Sequence, residues 1–301
     1  MAYQNVKTPR IYLNIPEYLA STGVEIDPIL RTLPVSKTNS LSFITNNPRT
    51  QQLNTNITDD FISDNNYVAV LNHSLEDINF EINSDDNYIS GTEIVNPLDG
   101  SSLKGFSVMD FSSNIVKNVW FNRGEAPFTD PQSIDIGSIM CGFYYDFPHS
   151  PDLNLTLTYS YGGVKEITTR GGSTLTNSFY TKPPYSFEIG DVETQLAKSG
   201  RRIWDLSFSF LSSEKVFPDN AGLSNENPDS TNLTLLQDNT LQRAIHLTNG
   251  GQIPFLFQSD NSITENFQNQ LAICKFDMNS FQFNQTAFNK YTVKLKIREV
   301  W

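Results

Sequence analysis

Two stretches near the end of the chain restrict the fold most. In Ile203-Trp204-Asp205-Leu206-Ser207-Phe208-Ser209-Phe210, the apolar Trp204, Leu206, Phe208 and Phe210 alternate with Asp205, Ser207 and Ser209. In the closing stretch Tyr291, Val293, Leu295 and Ile297 alternate with Lys290, Thr292, Lys294, Lys296 and Arg298. A period of two marks a strand with one face on a core and the other in solvent. The last strand is therefore predicted to have one packing face and one strongly basic face. Between the two strands, Leu236, Leu241, Ala244, Ile245 and Leu247 recur at helical spacing, Thr234 and Gln237 are spaced as a capping box, and Asn249-Gly250-Gly251 supplies left-handed stop residues. One helix over about 235–248 is predicted. Short apolar runs at 253–257, 271–276 and 281–283, bounded by Ser, Asp and Asn clusters, read as strands.

The remainder has the same character. Asn, Ser, Thr, Phe and Tyr are abundant and helical amphipathicity is scarce, which favours an all-β class. The expectation is two β-sandwich or barrel domains, the C-terminal one carrying a single packed helix. Residues 1–35 read as an extended arm with a short helix over Pro16 to Ala20, anchored through Ile11, Leu13, Ile15, Tyr18 and Leu19. Residues 36–147 read as a β-sandwich, with a buried run at Tyr67-Val68-Ala69-Val70-Leu71, alternation at Ile78, Phe80 and Ile82, and strands at 104–110, 115–121 and 139–145. The stretch from Tyr144 to Asp152, rich in Pro and Ser, is the boundary to a second domain over 148–301. There Leu153, Leu155, Leu157, Tyr159 and Tyr161 alternate with polar residues, Gly162-Gly163 suits a hairpin turn into 164–169, and Gly171-Gly172 suits another.

Gly200-Arg201-Arg202-Ile203-Trp204-Asp205-Leu206-Ser207-Phe208, Leu247-Thr248-Asn249-Gly250-Gly251-Gln252-Ile253-Pro254-Phe255 and Lys296-Ile297-Arg298-Glu299-Val300-Trp301 together resemble the tail-tip ring proteins of long-tailed bacteriophages, the family of the distal tail proteins and the minor tail protein M of phage lambda. The resemblance covers about the last third of the chain. It implies a split β-barrel or sandwich with one packed helix, stacked as a ring, sixfold by analogy, on the end of the tail tube in the virion. Its partners would be further copies and the tube, hub or fibre proteins. The run from Tyr67 to Leu75 is similar to discoidin-like, or galactose-binding-like, jelly rolls, which implies a second function, adhesion to host surface glycans.

Chemistry is sparse. His73, His149 and His246 have no metal-ligand spacing to another ligand, no Ser sits in a nucleophile elbow, and the acidic pairs Asp59-Asp60, Glu76-Asp77 and Asp85-Asp86 are neighbours within single loops. No enzyme activity, cofactor or metal is expected. Cys141 and Cys274 lie in apolar strand-like runs and are expected as buried free thiols. No window has the apolar length of a membrane span. The formal charge of −12, with ten Asp or Glu and no Lys or Arg over 51–103, excludes tight nucleic-acid binding, which requires clustered cations. Against that background Lys290, Lys294, Lys296 and Arg298 are notable. They either meet the acidic surface of a neighbouring copy or protect an exposed strand from edge pairing. Arg201, Arg202 and Trp204 complete the set of residues expected to matter to the domain or its contacts, Trp204 equally as a plain core residue.

Overall fold

The computed structural model describes residues 6–31, 39–43, 53–57, 65–73, 79–84, 87–91, 94–95, 105–111, 116–122, 132–160, 164–178, 201–218, 239–262 and 271–300. The chain opens with β1 (Arg10–Tyr12) and α1 (Ile15–Ser21). Its middle contributes β2 (Asn39–Phe43), β3 (Leu53–Asn54), β4 (Asn66–His73), β5 (Asn79–Ser84), β6 (Asn87–Gly91), β7 (Ile94–Val95), β8 (Gly105–Phe111), β9 (Asn118–Asn122), β10 (Gln132–Ile136) and β11 (Ser138–Asp146). Then come β12 (Thr156–Ser160), β13 (Val164–Thr168), β14 (Thr174–Ser178), β15 (Arg201–Ser212), α2 (Ser213–Val216), α3 (Leu241–Leu247), β16 (Phe255–Gln258), β17 (Leu271–Phe276), β18 (Phe283–Ala287) and β19 (Lys290–Glu299). The chain is mostly β, as its composition implies.

One eleven-stranded sheet dominates, in the order β12-β15-β19-β17-β16-β1-β11-β4-β8-β7, with β18 paired to β19. It runs through strands drawn from 1–35, 36–147 and 148–301. The stretch expected to be an arm supplies a central strand: β1 pairs antiparallel with β11 on one side and β16 on the other. Its apolar residues are anchors as expected, with Ile11, Leu13, Ile15 and Leu19 buried. The short helix is also present. The Asn14 side chain accepts from the Glu17 amide, Pro16 fits the first turn where no intrahelical donor is needed, and Gly23 at φ 95 follows the end.

The inner face of the sheet carries Ile11, Val68, Val70, Cys141, Phe143, Trp204, Leu206, Phe208, Phe257, Val293, Leu295 and Ile297. Ile15 and Leu19 of α1, Leu241, Ala244 and Leu247 of α3, and Leu53 and Val119 of β3 and β9 belong to the same core. The opposite face buries a smaller cluster around Tyr12, Tyr67, Ala69, Met140, Leu256 and Ile273. Both cysteines are free and buried, and desolvation pushes each thiol well above its ordinary range.

Three expectations are corrected. The helix near residue 240 is shorter than predicted and is not single in its half of the chain, because the one-turn α2 precedes it. Thr240 is extended, at φ −119 and ψ 158, and its side chain caps the Arg243 amide, so α3 begins at Leu241 and not near 235. Thr234 and Gln237, placed as a capping box, lie outside the described residues. The predicted stop is present: Asn249, Gly250 and Gly251 all have positive φ. Thr240→Ala should lower stability by about 1 kcal/mol in urea unfolding, because it removes the side-chain cap on the first turn of a two-turn helix; an unchanged midpoint would show that α3 is held without that cap.

The second correction concerns pairing. β12 does not form a hairpin with β13. It pairs with β15, Leu157 opposite Trp204, while β13 and β14 form a separate ribbon turned at Gly171-Gly172. Gly162 and Gly163 lie outside the described residues. The third concerns Phe210, which alternation places in the core. Phe208 opposes Val293 and Leu211 opposes Tyr291, so Ser209 and Phe210 together face the single residue Thr292. This is a β-bulge, with Phe210 at φ 61. Leu211 takes the buried place at 1 % exposure and Phe210 is turned out to 68 %.

Candidate interaction face

The charged surface predicted for the last strand is present on the outer side of β15, β19 and β17. Val293, Leu295 and Ile297 are buried, while Lys294 and Arg298 are exposed and Lys296 is partly so. Register sets their neighbours: Ser207 opposes Lys294, Asp205 opposes Lys296, and Lys275 opposes Arg298. One carboxylate serves two cations, with Asp277 3.0 Å from Arg298 and 3.6 Å from Lys296. Lys294 and Lys290 have no ion-pair partner among the described residues. The row therefore retains net positive charge in a chain whose total is −12.

A shallow cleft of about 260 Å³ opens beside the row, between Asn154, Asp205, Ser207, Met278, Lys294 and Lys296. Its rim is held by the segment that leads into β12. The Asp152 amide donates to the Ser207 carbonyl at 2.7 Å, and the Ser209 hydroxyl donates to the Asp152 carboxylate at 2.8 Å. Burial opposes ionisation of Asp152, but the hydrogen bonds from Ser209 and Ser207 prevail and hold its carboxyl below the usual range.

The other residues expected at an interface lie elsewhere. Arg201 is exposed at the start of β15, but Arg202 and Trp204 are on the inner face, at 1 % and 2 % exposure. Arg202 makes a forked pair with Glu299, its Nε donating to Oε2 at 3.1 Å and its Nη2 to Oε1 at 3.0 Å. Its backbone amide also donates to Oε2 at 3.0 Å, and Nη2 reaches the Leu271 carbonyl at 3.0 Å. The guanidinium stands 5.2 Å from the Trp204 ring centroid. Neither side chain presents surface to a partner: Arg202 ties β15 to β19 and β17 from within, and Trp204 packs 5.0 Å from the Phe257 ring of β16.

A second charged cluster had no signal in the sequence. Arg10 of β1 donates to both oxygens of Asp146 on β11, at 2.6 and 3.0 Å, pairs with Asp110 of β8, and stacks 3.8 Å from the Tyr144 ring centroid. Asn261 donates to Asp146 at 2.9 Å, and the Tyr12 hydroxyl donates to Gln258 at 2.9 Å. Burial disfavours the Arg10 cation, but the two carboxylates outweigh it and hold the guanidinium firmly protonated. Desolvation raises the Tyr12 phenol well above its ordinary value. Each member is satisfied by another, so the cluster acts as a clasp holding β1 in the sheet.

Among the described residues no group of three His, Cys, Asp or Glu is placed to hold a metal ion, and no helix is long and apolar enough to cross a membrane. His246 shares a 3.1 Å contact with the Tyr18 hydroxyl, and burial lowers its pKa. His149 contacts the Ser150 carbonyl at 2.7 Å. The His73 side chain lies outside the described residues. Compared with known proteins, the chain matches no family model, no curated protein and no solved structure.

Proposed function

We propose that this chain is a structural component of a bacteriophage tail tip or baseplate, acting without catalysis, and that copies of it associate through the outer face of β15 and β19 into a ring joining the tail tube to distal tail, hub or fibre proteins. The observation that carries the self-association is the incompletely neutralised row of Lys294, Lys296 and Arg298 on a chain of net charge −12. A second copy is the acidic partner most readily at hand, and opposite potentials across a contact fix orientation. A heterologous contact of this kind closes into a ring when its rotation permits. The tail-tip assignment rests on the resemblance of 200–208, 247–255 and 296–301. In this reading, 36–147 and 148–301 are two β lobes that share one sheet, joined through β1, and not beads on a linker.

Electron microscopy of the purified protein is expected to show closed rings, sixfold by the resemblance. Reversing the charge with Lys294→Glu and Lys296→Glu should lower the ring fraction at least about tenfold, since like charges then face each other across the contact. Rings that form undiminished in the reversed variant would remove the basic row as the contact.

A further inference from the structure

We infer that Phe210 is the apolar anchor of this association: its ring is held outward by a strained backbone so that it can enter a second copy of the chain. The inference rests on the self-association reading above, since it takes the lysine row as the rim of the same contact.

The bulge in β15 turns out a ring that the alternation of the strand would otherwise bury. Phe208 and Leu211 fill the two inward places on either side, and Phe210 stands opposite Thr292, between Lys290 and Lys294 on β19. Its φ of 61 lies in the left-handed region, which bulky side chains avoid and which glycine and asparagine tolerate. The fold itself would be better served by either of those residues. Backbone strain that does not serve stability is a common mark of a functional position. An isolated exposed aromatic is ordinary on a protein surface. This one is strained as well as exposed, at 68 %, and it stands within a cationic row; Phe288, 88 % exposed, lies in the β18–β19 turn at the same end of the ladder. Aromatic rings ringed by charge are the common form of an interface anchor. Charge selects the occupant. The cationic surroundings suit an acidic partner, the acidity of this chain provides one in every other copy, and the same acidity repels nucleic acid.

The test is sedimentation of the full chain with urea unfolding alongside, using Phe210→Asn, Phe210→Tyr and the double charge reversal. Phe210→Asn should weaken association at least about 30-fold, the scale of an interface hot spot. It should also raise the folding equilibrium constant about three- to tenfold, because asparagine relieves the left-handed strain. Phe210→Tyr keeps the ring and should associate like the wild type. Undiminished association of Phe210→Asn, or a fall in its urea midpoint, would overturn the anchor. If the charge reversal alone weakens association, the face stands and the anchor falls; a wild-type chain that remains monomeric at about 100 μM, a concentration at which micromolar contacts are filled, overturns both.

Discussion

Glu299→Ala is expected to lower folding stability by about 3–5 kcal/mol, the range for removing one member of a buried ion pair. The carboxylate takes three hydrogen bonds from Arg202, two from the guanidinium and one from the backbone amide, and both side chains are nearly sealed from water. Without it the buried guanidinium loses its counter-charge and two hydrogen bonds, a costly change away from water. The loss should appear as a lower urea midpoint at unchanged slope. The pair is not expected to stabilise the chain greatly against an apolar alternative. Arg202→Met combined with Glu299→Leu should recover most of the loss, because two matched charges are removed instead of one. A single variant that unfolds within about 1 kcal/mol of the wild type would show that water reaches the pair.

Gly142→Ala should cost about 3 kcal/mol or more, from overpacking and left-handed strain together. Gly142 has φ 145, and a Cβ there would stand 2.6 Å from the Leu13 carbonyl oxygen and overlap Ile15 Cγ1. The carbonyl cannot retreat easily. It accepts the Tyr67 hydroxyl at 3.0 Å, and the amide of the same residue donates to Phe143 at 2.8 Å. The neighbouring α1 is fixed by the burial of Ile15 and Leu19. Loss of stability together with loss of β1 from the sheet, read as faster amide exchange over 10–13, is the expected result. Exchange that stays slow there would mean that α1 shifts to make room.

The contrast between what could and could not be read in the sequence follows from the range of the interactions. The two-faced character of β19 was legible because alternation is a local property, and so was the stop after α3 at Asn249-Gly250-Gly251. Burial of Ile11, Leu13, Ile15 and Leu19 was legible, but the place of β1 between β11 and β16 was not, since no local pattern tells a strand its neighbours. The Arg10, Asp110 and Asp146 clasp was hidden for the same reason. Arg202 was read as an interface residue together with Arg201 and Trp204. Its partner Glu299 lies 97 positions away and converts it into a core residue. Phe210 carried a faint signal in the adjacent pair Phe210-Leu211, which breaks a strict alternation. Only the backbone angle shows which of the two is turned out.

The place of β1 has a consequence for how the molecule comes into being. Tyr12 emerges from the ribosome 246 positions ahead of Gln258, which accepts its hydroxyl. The two wings of the sheet can fuse only when β16 reaches back to β1. Long-range closure of this kind is slow. Until it happens, the flank of β1 that faces β16 remains unzipped and open to mispairing with another nascent chain.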